Sequence, residues 1–316
     1  MMKNVLLKIC IVGLALSFHS ACTPGQDVRT TEPAIPAVES GAADAELTKQ
    51  IAALCNDSQG EIGVTVIHVE SGRTVNFEGE KKLPLYSVFK LPLALEVLKR
   101  VAEKKISLDQ KIHVAPADVA PGSQFNADLW RKPADKTVAE LLEFSIVRSD
   151  NTSSDQLLQL VGGPAVVTER MRTLGFPNID IVSTVREYAT SQGKPNLATT
   201  ANLARLLSRL QKGELLEPSH LSLLLGFMER ARTGGERRLR ASLPLGTTVA
   251  EKTGSGADST NDVGLITLPD GKGHLAMAVL IHNSKLTAEA QERLIADLAR
   301  KAYDAFVTSA ATVPGR

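Results

Sequence analysis

Three cysteines in 316 residues leave little room for a disulfide framework. Cys10 lies inside an N-terminal apolar stretch and Cys22 at its end, so Cys55 has no partner in the folded part of the chain. An excess of one charge sign is also missing. Lys and Arg number 36 against 35 Asp and Glu, and a net charge of +1 gives no field that would gather nucleic acid or an anionic membrane. The six histidines, His19, His68, His113, His220, His274 and His282, show no HxH or HExxH spacing. That disfavours a metal enzyme, so neither a metal nor another cofactor is expected. No internal repeat is present. What remains is ordinary globular composition, 43% apolar and 22% charged, whose partners are to be found in specific sites.

The N-terminus reads as a separate object. Lys3 and Lys8 flank the start of an apolar stretch from Ile9 to Phe18, which ends in the small residues Ser20-Ala21-Cys22. This is the layout of a secretory signal, and it is too short to span a bilayer, which takes about 20 apolar residues. Ser20-Ala21-Cys22 also resembles the end of a bacterial lipobox, although His19 stands where an aliphatic residue is usual. The expectation is export to the periplasm, with anchoring through a lipidated Cys22 as the alternative to plain cleavage. Residues 23–44, rich in Pro, Thr, Ala and Gly, read as a flexible tether.

Beyond the tether the texture changes three times. Leu47, Ile51, Leu54 and Cys55 repeat at helical spacing, which makes Cys55 a small core residue. Residues 61–79 read as two strands around a Ser-Gly turn. From Ser87 to about Arg232 the apolar residues fall into helical stripes: Leu91, Leu95, Leu98 and Val101, then Val138, Leu141, Leu142 and Ile146, then Leu203, Leu206, Leu207 and Leu210. Three more strands follow, over Thr247 to Glu251, Asp262 to Leu268 and His274 to His282, and the helix Thr287 to Phe306 closes the chain. His68 and His282 fall in strands and read as structural.

The most economical arrangement is α+β: a five-stranded antiparallel sheet flanked by the terminal helices, plus an all-α lobe. The α/β lobe takes residues 45–84 and 233–312, the helical lobe 85–232, and the active site belongs in the cleft between them. A monomer is the default state.

Three short motifs carry chemistry. Ser87-Val88-Phe89-Lys90 puts a hydroxyl and an amine at i and i+3, on one face of a helical turn, and a serine nucleophile needs a base within reach. Pro92 argues mildly against a regular helix across the motif. Ser149-Asp150-Asn151 follows an apolar helix, where Ser, Asp and Asn are also the preferred caps of the next one. Lys252-Thr253-Gly254-Ser255-Gly256 follows a strand and reads locally as a glycine-rich bend. Each motif alone is weak; SxxK, SDN and KTG in this order are not.

Over residues 45–310 the sequence resembles the superfamily of penicillin-binding proteins and serine β-lactamases, and its KTGSG string followed by Ser259-Thr260-Asn261-Asp262 favours class A β-lactamases. The resemblance implies a small-molecule β-lactam substrate opened through an acyl-enzyme on Ser87. It gives Lys90 the part of base or electrostatic anchor. Ser149, helped by Lys252, would relay a proton to the departing nitrogen, and the backbone amides of Ser87 and Ser255 would form the oxyanion hole. Asn151 would bind the antibiotic's side-chain amide, and Thr253 and Ser255 its carboxylate.

Arg238 matches the place where some members carry a carboxylate-binding arginine, although Arg232, Arg237, Arg238 and Arg240 cluster and such arginines are commonly solvated. Class A enzymes also carry a loop glutamate that activates water against the acyl-enzyme, usually with an asparagine four residues later. Here Glu187 is the only acidic residue from Ile181 to Lys212, and Ser191 stands in the asparagine's place. The rival readings are a penicillin-binding D,D-peptidase and a non-catalytic β-lactam sensor domain.

Overall fold

The computed structural model describes residues 41–309 apart from Asp57. The expected signal, Cys22 and most of the tether lie outside the described residues. Helix α1 (Ala42–Asn56) leads into strands β1 (Glu61–His68), β2 (Thr74–Phe77) and β3 (Leu83–Pro84), a 3-10 turn over Tyr86–Phe89, and helix α2 (Lys90–Ala102). Strands β4 (Lys111–Val114) and β5 (Ala134–Thr137) precede helices α3 (Val138–Val147), α4 (Asn151–Leu160) and α5 (Pro164–Thr173). Strand β6 (Ile179–Asp180), the short helix α6 (Val185–Ala189) and strand β7 (Leu197–Ala198) form a loop ahead of α7 (Thr200–Gln211) and α8 (Pro218–Glu229). Strands β8 (Val249–Ser255), β9 (Thr260–Thr267) and β10 (His274–His282) and helix α9 (Ala288–Ser309) follow.

The five long strands form one antiparallel sheet in the order β2-β1-β10-β9-β8. Successive side chains of a strand point to opposite faces, and β10 divides cleanly. Leu275, Met277, Val279 and Ile281 join the cluster that Ile51 of α1 and Ile295, Leu298 and Ala302 of α9 fill. Ala276, Ala278 and Leu280 join the other cluster, with Leu203, Leu206 and Leu207 of α7. Two alanines on that face let a helix lie close, and helices on both faces explain why β10 reads as an unbroken apolar run. Cys55 is buried in the outer cluster as expected, and burial pushes its thiol up to about 12.

The differences from expectation are local. Helix α1 begins at Ala42, inside the segment read as tether, and β8 runs on through Ser255, so the Lys-Thr-Gly motif lies in the strand and not beyond it. The region 85–232 is not all helix. It holds the β4–β5 hairpin and pieces of a three-stranded patch, β3-β7-β6, whose two-residue strands are too short to leave a periodic signature. That patch closes the neck of the loop carrying Glu187 and ties it to the strand just before Ser87. Among the described residues no helix is long and apolar enough to cross a membrane.

Candidate active site

Ser87 sits in the 3-10 turn, and Lys90 is the first residue of α2. Pro92 therefore falls in the first helical turn, where its missing N–H has no partner to lose, and it does not disturb the motif. The turn is held on the sheet from below. Asn261 of β9 donates through Nδ2 to the carbonyls of Pro84 (2.8 Å) and Leu85 (3.2 Å). Gly254 of β8 faces the same turn. A Cβ there would stand 2.6 Å from Leu85 O and 3.3 Å from Ser87 N, so only glycine lets the strand come this near the nucleophile.

Arg148, Ser149 and Asp150 are the whole connection between α3 and α4, and Asn151 is the first residue of α4. Ser149 takes a left-handed φ of 52°, where a helix end usually places glycine, and the Asp150 N–H closes back onto Phe144 O at 3.0 Å. Asp150 then caps α4: its carboxylate accepts from the Ser153 N–H at 2.7 Å and from Trp130 Nε1 at 3.2 Å. The capping role expected of this motif belongs to its middle residue, which leaves Ser149 and Asn151 facing the cleft.

Two fully buried lysines meet at Ser149. Lys90 Nζ lies 3.1 Å from Ser87 Oγ, 3.2 Å from Ser149 Oγ, 2.6 Å from Ser149 O and 2.8 Å from Asn151 Oδ1. An ammonium has three protons for these four oxygens, whereas a neutral amine can accept the Ser87 O–H with its lone pair. Burial favours that neutral form: it pushes Lys90 down to about 7, against the opposing pull of Asp150 and Asp155. Lys252 Nζ donates to Ser149 Oγ at 3.1 Å and to Thr253 O at 2.9 Å. Burial, and then the neighbouring Lys90, bring it well below the usual lysine range.

Ser87 opens onto two cavities. The larger, 910 Å³, is also lined by Ser149, Asn151, Thr253, Ser255 and Arg232. The smaller, 140 Å³, runs under the loop between Tyr86, Thr184, Val185 and Tyr188. Tyr86 and Tyr188 meet edge to face across it at 6.3 Å between ring centres. Asn151 and Ser255 line both cavities, so seven of the nine expected side chains come together here: Ser87, Lys90, Ser149, Asn151, Lys252, Thr253 and Ser255.

Arg238 is not in the cleft. Its side chain is 5% exposed and lies behind β8. There Nη2 donates to Ser255 Oγ at 2.7 Å, Nη1 to Asn261 O (2.9 Å) and Gly254 O (3.2 Å), and Nε to Glu292 Oε1 at 3.2 Å. Counting along the sequence located its position in the chain but not its depth. By donating to Ser255 Oγ it leaves that residue's own O–H free to turn to the cleft. Arg238→Ala should lower the free energy of unfolding by about 1–3 kcal/mol, because two buried carbonyls lose a charged donor while Glu292 keeps its ion pair with Arg237 at 2.8 Å. Urea titration measures this, and an unchanged midpoint with only KM raised would return Arg238 to substrate contact.

Glu187 is also not brought to Ser87. It stands at the third position of α6, in a capping box: Oε2 accepts from the Thr184 N–H at 2.8 Å and Thr184 Oγ1 accepts from the Glu187 N–H at 3.1 Å. The side chain is exposed and lines a different cavity, beside Asp118, Asp155 and Gln156. The Thr-x-x-Glu spacing was readable in the sequence as this cap. Thr184, the partner of Glu187, lines both that cavity and the smaller one at Ser87.

Other site residues left no local signal. Asp155 of α4 accepts the backbone N–H groups of Val185 (2.7 Å) and Arg186 (3.0 Å), pinning the start of α6, and burial raises its carboxyl above the usual range. Asp262 faces Thr253 across the ladder, fully buried, and burial next to Glu251 drives its carboxyl well above the usual range. Among the described residues no group of three or more His, Cys, Asp or Glu is arranged to hold a metal ion.

Residues 46–306 match the family described as Beta-lactamase enzyme family. The chain is 31% identical to the extended-spectrum beta-lactamase PER-1 of Pseudomonas aeruginosa over 279 residues, 84% of this chain and 89% of that one. The structure of a beta-lactamase from Chitinophaga pinensis superimposes with a TM-score of 0.79 at 32% identity, covering 82% of this chain and 99% of that one. An ancestral (GNCA) class A beta-lactamase gives 0.75 at 32% identity, with 82% and 99% covered. Matched along most of its length in sequence and in fold, the chain belongs to the beta-lactamase enzyme family, in its class A serine branch.

Proposed function

We propose that the protein hydrolyses β-lactam antibiotics through an acyl-enzyme on Ser87. The observation that carries this reading is the buried Lys90 amine, 3.1 Å from Ser87 Oγ and 3.2 Å from Ser149 Oγ. Neutral Lys90 takes the Ser87 proton as Oγ attacks the lactam carbonyl, and the backbone amides of Ser87 and Ser255 stabilise the oxyanion. The C–N bond breaks and the nitrogen takes the Ser149 hydroxyl proton, which Lys90 replaces with the proton it took from Ser87, across 3.2 Å, while Lys252 Nζ at 3.1 Å holds the hydroxyl in place. Thr253 and Ser255 hold the substrate carboxylate and Asn151 the side-chain amide.

For the second half-reaction Glu187 is the proposed base for water. Among the described residues its one side-chain bond is a cap worth about 1 kcal/mol, made to a residue that lines the Ser87 cavity, so leaving it is cheap. One observation favours a second reading, with Lys90 as the base for both steps: it already touches Ser87 Oγ, and Glu187 does not. Export to the periplasm, with lipidation of Cys22 as its variant, action as a monomer and the absence of a nucleic-acid partner complete the proposal. The Lys3 to Cys22 layout supports export and the near-zero net charge supports the lack of a nucleic-acid partner, while the monomer is the default state.

The test is steady-state turnover of a chromogenic cephalosporin by the purified chain. Lys90 works only when neutral, so kcat/KM should be full above about pH 7 and fall tenfold per unit as pH drops below it. A single equivalent of product without further turnover favours the penicillin-binding peptidase, and a flat profile across pH 7 removes Lys90 as base.

A further inference from the structure

A third cavity, 480 Å³, opens beside the loop between α4, α5 and α6, and Ser87 does not line it. Acceptors outnumber donors there. Asp118, Asp155 and Glu187 line it against one cation, Arg186, whose Nη2 is turned to the carbonyls of Ala117 (2.9 Å) and Val119 (3.1 Å). Asp155 spends both oxygens on the amides of α6. Asp118 Oδ2 accepts from the Ala115 N–H at 2.8 Å and Glu187 Oε2 from the Thr184 N–H at 2.8 Å, so each keeps its second oxygen without a partner among the described residues. Gln156 of α4 lines the same cavity. It is only 8% exposed, yet among the described residues its amide has no hydrogen bond. A buried amide left unpaired is costly, so this one calls for a polar partner from the cavity.

The lining also says what kind of partner fits. An anion finds little: Pro164, the first residue of α5, has no N–H, and the amides of Gly162, Gly163 and Val166 already donate to Gln159 O, Leu158 O and Gly163 O. A single metal ion does not suit, because the carboxylates are not arranged to hold one. Acceptors spread along one cavity suit a cation whose charges are spread along a chain. The net charge of +1 gives the rest of the surface no general pull on such a molecule.

We propose that this cavity binds a linear polyamine through Asp118, Gln156 and Glu187, and that the bound polyamine holds Glu187 in its cap. The second half rests on the reading of Glu187 as the base for water; the binding itself does not. A ligand that prefers the capped form withdraws Glu187 from the acyl-enzyme and leaves Ser87 and Lys90 untouched, so it slows deacylation and spares acylation.

Calorimetric titration with spermidine at constant ionic strength is the first test, with butylamine as the single-charge control. One site is expected, with butylamine at least about tenfold weaker. Asp118→Asn, which keeps an oxygen for the cap on Ala115, and Gln156→Leu should each weaken spermidine about fivefold. No binding beyond that of butylamine, or wild-type affinity in both variants, overturns the site. The second test follows the benzylpenicillin adduct by intact-protein mass with spermidine at about ten times its dissociation constant, where the uncapped form, and with it the deacylation rate, should fall about tenfold. Binding without a longer-lived adduct, in a chain whose Glu187→Gln variant does accumulate one, overturns the hold on Glu187. If Glu187→Gln turns over at the wild-type rate, the reading of Glu187 as base fails and the hold with it, while the binding result stands.

Discussion

Alanine at position 87 is expected to abolish covalent labelling by benzylpenicillin and to reduce turnover by on the order of 10⁶-fold, the scale on which a serine hydrolase loses activity with its nucleophile. No other hydroxyl can take over. Ser149 Oγ is shared between two lysines at 3.2 and 3.1 Å, and Ser255 Oγ already accepts from Arg238. Removing the hydroxyl deletes one of the four oxygens around Lys90 and leaves three, so the fold should persist with an unchanged unfolding midpoint. Intact-protein mass is the readout. A full-stoichiometry adduct on Ser87→Ala would move the nucleophile elsewhere, Ser149 being the first place to look.

The second large effect separates the two steps of the reaction. Gln at position 187 keeps the size of the side chain and an oxygen for the cap to Thr184, yet cannot take a proton from water. If Glu187 serves the water, the acyl-enzyme should persist about 10²–10⁴-fold longer, the worth of one positioned base, while the rate of label uptake stays near wild type because Lys90 is intact. Mass against time after mixing with benzylpenicillin would then show an adduct that wild type does not accumulate. Turnover at the wild-type rate in Glu187→Gln would leave the capping box as the whole role of this carboxylate and transfer the water to Lys90. A long-lived adduct on wild type itself would favour the peptidase.

The parts of this site that are legible in the sequence are those whose geometry is local. Ser87 and Lys90 meet because one helical turn separates them, and Ser149 and Asn151 flank a cap because two helices leave only three residues between them. The five strands are legible because β1, β9 and β10 are long enough to show their period. Depth and facing are not local. Arg238 lies behind β8 because Glu292, 54 residues on, meets it there, and no spacing announces that ion pair. Asp155 and Asp262 look like ordinary acids in a helix and a strand, and only the loop and sheet packed on them reveal otherwise. Glu187 is the instructive case: the same Thr-x-x-Glu string can be read as a catalytic loop or as a helix cap, and the chain folds it as the cap.

The closeness of β8 to the nucleophile turn has a consequence for how errors propagate. Along β8, Lys252 and Gly254 point to one side, and Thr253 and Ser255 to the other. Thr253 is registered on Asp262 and Ser255 on Thr260, so the reactive layout is held as a phase of the ladder. A slip of one residue would turn Lys252 to the opposite face, where Glu251 and Thr253 are buried, drive a threonine side chain against Leu85 O and strand Asp262. No partly working intermediate lies between the two phases. A population of chains refolded with β8 out of phase should therefore divide into fully competent and wholly inert molecules, so that active-site titration falls while the kcat of the titrated fraction stays constant.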